Sequence, residues 1–282
     1  MIAYHRPRSL EEAVALRPGM MPLAGGTDVY PARATRAAWG DPTHPPVLDL
    51  SAVPGLSGIE ETPDGWRIGA LVTWTAVRDA ALPPLFDGLR AAAREVGGRQ
   101  VQNRGTIVGN LCTASPAGDG IPNLLALDAS VELAGAGGTR RVPVVDFLTG
   151  YRATALGPDE IVMAIRVPRL DGARGRFEKL GARRYLVISI AMAAGVVACD
   201  AAGRVTVARI AVGACAAVAV RLHALEAALV GVSLRDAAGV AEAAHVAGLA
   251  PLDDVRASAT YRRAAALEIV RDLLAGYAEV WA

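Results

Sequence analysis

One segment of this chain, Gly105–Pro122, has a composition that suits few environments in a folded protein. It holds four glycines, three hydroxyl side chains, one amide and one carboxylate. Apolar residues such as Ile107, Leu111 and Ile121 are interleaved with these small polar groups, whereas a solvated loop is polar throughout. The segment is suited to wrap a pyrophosphate and a sugar chain with its backbone N–H groups and hydroxyls. A polar surface loop is the alternative that the residues leave open.

A second glycine loop lies near the N-terminus, where the short apolar run 21–24 leads into Gly25, Gly26, Thr27 and Asp28. Glycines let the backbone come close to a ligand. Thr27 and Asp28 can open a helix whose free N–H groups and dipole suit a phosphate. A tight turn without a ligand is the alternative interpretation of so short a pattern.

The charges of the chain are balanced, with 29 basic and 28 acidic residues. This balance gives no steering field, so we expect neither nucleic acid nor an anionic membrane as a partner. The three cysteines, Cys112, Cys199 and Cys215, are too few and too far apart to ligate an iron–sulfur cluster or an all-cysteine zinc ion. The histidines show no metal-ligand spacing and no serine lies in a nucleophile elbow, so we predict no metal site and no hydrolase.

The first ten residues lack the basic and apolar regions of a signal peptide. The apolar stretch 186–198 is shorter than a membrane span and contains Gly195. The sequence therefore predicts a cytoplasmic protein without a membrane span.

Hydrophobic periodicity and turn residues divide the 282 residues into three parts. The first has a helix with a capping box at Ser9 and Glu12. The second has short strands and an amphipathic helix that ends at Gly97. After a linker near 168–175, the pattern predicts three antiparallel strands, at 176–180, 188–199 and 204–213, and three helices, at 222–229, 234–246 and 257–280.

Six motifs occur along the chain in a fixed order: SLEEAV at 9–14, LAGGTDVY at 23–30, NRGTIVGNLCTASPAGDGIPNLLALDA at 103–129, PDEIVMAIRVP at 158–168, FEKLGARR at 177–184 and DDVRASATYRR at 253–263. With them the whole chain resembles the FAD-binding subunits of the molybdenum hydroxylase family, the family of xanthine dehydrogenase and carbon monoxide dehydrogenase. The paired glycine loops are the specific part of this resemblance.

The resemblance implies an α+β fold with three domains. Residues 1–55, a small α/β unit, and 56–170, an antiparallel sheet with helices, would form a two-subdomain FAD-binding domain of the PCMH/vanillyl-alcohol oxidase type. Residues 175–282 would form a C-terminal domain of the CO dehydrogenase flavoprotein type, with a three-stranded antiparallel sheet and a three-helix bundle.

The resemblance also implies which residues bind FAD. The first loop would surround the pyrophosphate, the second loop the phosphates and ribityl chain, and the remaining residues the sugar part, the edge of the adenine or flavin, and the flavin itself. In that order they are Ala24, Gly25, Gly26, Thr27 and Asp28; Thr106, Gly109, Asn110 and Thr113; and Asp119, Ile161, Val162 and Lys179. No residue is expected to be catalytic.

Some of these positions have simpler interpretations. Asp119 could cap the helix that starts near Pro122, and Lys179 could be a solvated strand residue. The segment 254–263 could contact a partner or be a solvated helix start. Gly120 stands where relatives often carry a larger residue, and we expect it to loosen the loop.

The function implied by the resemblance is electron transfer through FAD. Electrons would come from 2Fe–2S clusters on a small iron–sulfur subunit and leave to an external acceptor, while a large molybdopterin-binding subunit oxidises the substrate, in a dimer of heterotrimers. Two alternatives stay open. One is a self-sufficient FAD oxidoreductase of the related fold, which would need its own proton donor facing the flavin. The other is a scaffold subunit that holds no flavin.

Overall fold

The computed structural model describes residues 3–281, and the side chains of residues 3–279. Residues 1, 2 and 282, at the ends of the first and last predicted domains, lie outside the described residues. The α+β class is confirmed, because residues 3–281 form both helices and four separate sheets.

The N-terminal subdomain is a three-stranded parallel sheet with strand order β1-β3-β2. The predicted cap at Ser9 is confirmed, because Ser9 Oγ accepts the N–H of Glu12 at 3.1 Å. The reciprocal bond of a capping box is displaced by one residue: the Glu12 carboxylate accepts the N–H of Arg8, at 2.8 Å, and not that of Ser9. The elements are β1 Tyr4–His5, α1 Leu10–Leu16, β2 Met21–Leu23, α2 Val29–Ala38 and β3 Val47–Asp49, followed by a 3-10 turn at Leu50–Ala52.

The middle subdomain is built on a five-stranded antiparallel sheet with strand order β4-β5-β10-β6-β7. The predicted amphipathic helix, α4, is confirmed, and Gly97 ends the segment in the left-handed region with φ 52°. The strands of this sheet are β4 Ile59–Thr62, β5 Gly65–Gly69, β6 Ser130–Gly135, β7 Gly138–Pro143 and β10 Ile161–Pro168, and β8 Leu148–Gly150 pairs with β9 Ala153–Thr154 in a separate two-stranded sheet. The helices are α3 Trp74–Asp79, α4 Asp87–Glu95, α5 Arg99–Gln102, α6 Ile107–Thr113, α7 Gly120–Ala126 and α8 Val144–Phe147, with a 3-10 turn at Pro84–Phe86.

The sheet of the C-terminal domain has four strands in the order β11-β12-β13-β14, so the prediction of three strands is wrong. The fourth strand is two residues long and pairs with the end of β13, a length that leaves no periodic signal. The strands are β11 Arg174–Leu180, β12 Ala191–Cys199, β13 Val205–Gly213 and β14 Val220–Arg221; the helices are α9 His223–Leu229, α10 Ala237–Val240, α11 Ala243–Val246 and α12 Ala259–Trp281.

The three-helix bundle is also wrong, because the helix predicted at 234–246 is broken into α10 and α11. Ala241 is extended, and Glu242 starts a new helix through a capping box with His245. The carbonyl of Ala241, freed by the break, accepts the Nε–H of Arg271 on α12 at 3.0 Å. Apolar spacing continues across the break, so periodicity alone predicted one helix.

The apolar stretch 186–198 overlaps strand β12, which is buried on both of its faces. Its alternate residues enter two different cores: Ala194 and Val196 join the core of the first two subdomains, and Ala193 and Val197 join a core formed with α9–α12. A strand covered on both faces is apolar throughout. Among the described residues no helix is long and apolar enough to cross a bilayer.

Candidate cofactor site

The two glycine loops, far apart in sequence, line one cleft between the N-terminal and middle subdomains, with a cavity of about 400 Å³. The first loop connects β2 to α2, and the second leads into α6. Eleven of the predicted cofactor residues line this cavity: Ala24, Gly25, Gly26, Thr27, Asp28, Thr106, Gly109, Asn110, Thr113, Ile161 and Val162.

The two remaining predicted residues, Asp119 and Lys179, line a neighbouring cavity of about 350 Å³. Val96 and Asn110 line both cavities, so the two spaces adjoin at these side chains. The structure thus places all the predicted cofactor residues around two neighbouring cavities. Their contacts with FAD stay a prediction.

The first loop packs directly on the backbone of the second. A Cβ atom added to Gly25 would overlap the carbonyl oxygen of Arg104 and would lie 2.6 Å from its carbonyl carbon. Gly26 has φ 76°, a conformation that side chains rarely adopt. The sequence LAGGTD therefore requires its two glycines for loop packing and backbone shape.

Helix α6 begins at the cleft with a side-chain cap. Thr106 Oγ1 accepts the N–H of Gly109 at 2.9 Å, and Thr113 Oγ1 donates to the carbonyl of Gly109 at the same distance. A Cβ on Gly109 would lie 2.8 Å from Thr106 Oγ1 and would crowd this cap. The hydroxyl of Thr106, used as an acceptor here, keeps its proton available for a ligand.

Gly120 closes the second loop tightly, so the expectation that it loosens the loop is wrong. Its N–H donates to Asn110 Oδ1 at 3.3 Å. An added Cβ would lie 2.7 Å from the ring of Trp74, which is buried in the core. A larger residue has no room at this position.

Asp119 and Lys179 form a buried ion pair. Lys179 Nζ lies 2.7 Å from Asp119 Oδ2, and each side chain is 8% exposed. Ser189 Oγ donates to Asp119 Oδ1 at 2.8 Å. Burial raises the pKa of the Asp119 carboxyl, and Lys179 and Ser189 partly offset that rise.

The simpler interpretations of these two residues are wrong. Asp119 stands at the N-cap position of α7, but its side chain makes no cap hydrogen bond and is held by Lys179 and Ser189 instead. Lys179 is not solvated. The pair links residues sixty positions apart, which local sequence patterns do not reveal.

Arg17 also lines the cleft, although no pattern in the sequence had indicated it. Its Nε donates to the carbonyl of Glu160 at 2.9 Å and its Nη1 to the carbonyl of Met20 at 2.8 Å. It therefore ties the end of α1 to the start of β10, one residue before Ile161. This arginine fixes the two sides of the cleft relative to each other.

The surroundings of Cys112 and Arg183 determine the protonation state of the first side chain and the position of the second. Burial raises the pKa of the Cys112 thiol, which lines the cleft, to about 12, so this cysteine is a neutral thiol at pH 7. Arg183 folds back on its own loop and donates to the carbonyl oxygens of Tyr185 and Leu186. Arg183 and Lys179 both line a further cavity of about 530 Å³ beside the ion pair.

The lining suits FAD. The cofactor is elongated, with an apolar ring at one end and a pyrophosphate near its middle. Here the glycine loops and hydroxyls line the cavity of about 400 Å³, together with the apolar side chains of Val96 and Ile161. The ammonium-bearing side chain of Lys179 lines the neighbouring cavity of about 350 Å³. Sites for such ligands combine an apolar lining with a few fixed polar groups. Gly25 and Gly26 provide the close approach of backbone that a pyrophosphate needs.

Two family models match the chain. The family described as FAD binding domain in molybdopterin dehydrogenase matches residues 1–170. The CO dehydrogenase flavoprotein C-terminal domain matches residues 177–276.

Similar proteins match over nearly the whole length. The nicotine 6-hydroxylase medium subunit of Paenarthrobacter nicotinovorans is 34% identical over 275 residues, which cover 96% of this chain and 95% of that protein. The carbon monoxide dehydrogenase medium chain of Hydrogenophaga pseudoflava is 32% identical over 281 residues, with 96% and 95% covered.

A solved structure agrees with these matches. It is carbon monoxide dehydrogenase from Hydrogenophaga pseudoflava in a form that lacks the Mo-pyranopterin moiety of the molybdenum cofactor. The two chains align over 97% of this chain and 96% of that chain, with a TM-score of 0.85 and 32% identity. The chain therefore belongs to the family of FAD-binding medium subunits of the molybdenum hydroxylases.

Proposed function

We propose that the chain binds FAD along the path from the two glycine loops to the Asp119–Lys179 pair and uses it to transfer electrons within a multi-subunit oxidoreductase. The observation that carries this proposal is the convergence of the two loops on one cleft that adjoins a buried cation. FAD, when bound, accepts electrons from one partner and passes them to another.

The residues of this chain bind and orient the cofactor. The backbone of 24–28 and the start of α6 at Thr106 would hold the phosphates, and Asn110 and Thr113 would face the ribityl chain. Lys179 would lie by the flavin, with its ammonium group fixed by Asp119. The packing of Gly25 and Gly120 keeps these groups in place before the ligand arrives, which reduces the cost of binding.

The domain boundaries form part of the proposal. Residues 1–55 and 56–170 would hold the cofactor, and 175–282 would close its far side through Lys179 and Ser189. The relatives named as medium chains imply large and small partner chains. We propose a large molybdopterin-binding subunit, a small subunit with 2Fe–2S clusters, a dimer of heterotrimers, an external electron acceptor and a cytoplasmic location.

The test of this division of labour is co-expression of the chain with its large and small partners, followed by anaerobic addition of substrate. In the complex we expect the flavin absorption near 450 nm to bleach, as is general for reduced flavins. The isolated FAD-loaded chain should not bleach with the same substrate, because substrate oxidation is assigned to the large subunit.

The two alternatives give different results. A self-sufficient oxidoreductase would turn over the substrate as an isolated chain. A scaffold subunit would assemble with its partners but carry no flavin, and its substrate-reduced complex would show no flavin bleaching.

A further inference from the structure

The guanidinium group of Arg17 has one nitrogen that the fold does not use. Its Nε and Nη1 donate to the carbonyl oxygens of Glu160 and Met20, at 2.9 and 2.8 Å. Within residues 3–279 its Nη2 makes neither a hydrogen bond nor an ion pair. The two bonds already join α1 to β10. The third nitrogen, on a side chain that lines the cleft, is therefore available to a ligand.

The charge of Arg17 is only partly compensated by the protein. The side chain is half-buried, and burial lowers the pKa of the guanidinium, while Asp159 offsets part of this decrease. Arg17 is the single cation, and Asp28 the single anion, among the described residues that line the cavity of about 400 Å³. A partly desolvated cation without a carboxylate partner favours a ligand that accepts hydrogen bonds.

The position of Arg17 along β2 separates it from the first glycine loop. Met20, whose carbonyl oxygen it binds, precedes β2, and the loop at 24–28 follows this strand. The strand has three residues and is therefore about 10 Å long at 3.3 Å per residue. Arg17 thus lies at the opposite end of β2 from the loop to which the pyrophosphate is assigned.

The flavin is assigned to the neighbouring cavity, which Lys179 lines and Arg17 does not. With the pyrophosphate at the glycine loops, the adenosine is the part of FAD that remains for the end of the cleft at Arg17. Adenine has flat π-faces and acceptor nitrogens at its edge. Ile161 and Val162, which follow Glu160 in the sequence, supply an apolar lining for such a ring. The Nη2 group of Arg17 supplies a donor for its edge.

We propose that Arg17 donates from Nη2 to the adenosine part of FAD and thereby makes the site selective for this dinucleotide over FMN, which lacks the adenosine. This inference rests on the proposed function, from which it takes the cofactor and the position of the flavin. A residue that only joined the two sides of the cleft would affect the binding of both flavins equally.

The test is a titration of the purified, flavin-free full chain with FAD, FMN and AMP, in the wild type and in Arg17→Met. Arg8→Met is the matched control, because Arg8 precedes the same helix and is exposed. We expect Arg17→Met to bind FAD and AMP at least about tenfold more weakly, the effect of losing one hydrogen bond from a charged donor. FMN should keep its wild-type affinity, and Arg8→Met should keep all three.

A second variant covers the case in which Arg17→Met does not fold. Arg17→Lys keeps the positive charge but lacks the planar fork of donors that can reach two carbonyl oxygens and a ligand together. We expect its selectivity for FAD over FMN to fall in the same direction, by a smaller factor. Thermal unfolding of the flavin-free chain shows whether each variant is folded.

Equal losses of FAD and FMN affinity in a folded variant would overturn the inference and leave Arg17 as a bridge only. Unchanged affinity for FAD or for AMP would also overturn it, and so would a wild-type chain that binds FMN as tightly as FAD. If the wild-type chain binds no FAD, the proposed function fails instead.

Discussion

Gly25 is a residue whose lack of a side chain shapes the cofactor site. Gly25→Ala would place a methyl group against the backbone of Arg104, which cannot rotate away. Overpacking of this kind costs about 1–3 kcal/mol of unfolding free energy. We expect Gly25→Ala to lower both the melting temperature and the FAD content of the purified chain. Gly137→Ala is the control, since an added Cβ there meets nothing within 4 Å.

The Asp119–Lys179 pair allows a second test at the residue scale. Lys179→Met leaves the buried carboxylate without its cation, a change that typically costs about 3–5 kcal/mol. The double variant Asp119→Asn with Lys179→Met removes both charges and should recover most of that stability in urea unfolding without FAD.

A measurement of FAD affinity distinguishes the role of this ion pair in stabilising the fold from its role in binding the cofactor. If Lys179 contacts the flavin, FAD affinity stays reduced in the double variant although its stability has recovered. Full recovery of FAD affinity would show that the pair only supports the fold.

At the scale of elements, the start of α6 controls the second loop. Thr106→Ala removes the side-chain cap on the N–H of Gly109, a loss of about 0.5–2 kcal/mol. We expect weaker FAD binding together with this loss, because the cap fixes the loop that faces the phosphates. Thr106→Ser keeps the hydroxyl and should behave like the wild type in both flavin titration and thermal unfolding; an equal defect in both variants would contradict the role of the cap.

Sequence patterns correctly predicted those elements whose formation depends on interactions between residues close together in the chain. The side-chain cap at Ser9, the stop at Gly97 and the apolar face of α4 each depend on residues within one or two helical turns, and all were visible in the sequence. The break at Ala241 and strand β14 were not, because each depends on contacts with distant segments.

At the scale of the whole molecule, the segment 253–263 ties together parts of the C-terminal domain. Arg262 is buried and donates to the carbonyl oxygens of Ile190 and Ala214, at 2.6 and 3.2 Å, and to Asp254 at 2.7 Å. Ile190 follows Ser189, the residue that holds Asp119. For Arg262 itself, therefore, neither a solvated helix start nor a partner contact was the right interpretation.

The hydrogen bonds of Asp254 with Arg256 and Arg262 predict that the stability of the fold depends on pH. Hydrogen bonds from the backbone of Arg256, then from Arg262, lower the pKa of Asp254 from 3.8 to about 2. Because the pKa is lower in the folded state, its stabilising effect is complete above about pH 4 and is lost as the pH falls toward about 2. Asp254→Asn should therefore lower the urea midpoint at pH 6 and show a smaller further decrease between pH 4 and pH 2.5 than the wild type. An equal decrease in both proteins would exclude Asp254 as a source of the acid sensitivity.

The cofactor path shows what the whole sequence could and could not predict. Both loops could be predicted from their glycines and small polar residues, because backbone segments that pack closely require small side chains. The ion pair of Asp119 with Lys179 and the bridge made by Arg17 left none, since charged residues at those positions are equally common on solvated surfaces. The family resemblance, not local pattern, directed attention to Asp119 and Lys179.

The most direct test of the central claim is a titration of the purified, flavin-free chain with FAD, followed by absorbance and calorimetry. The account predicts saturable binding of one FAD per chain, with Gly25→Ala weakened and Gly137→Ala unchanged. A chain that binds no FAD, or that binds it equally well with and without the Gly25 substitution, would contradict the assignment of the two-loop cleft as the cofactor site.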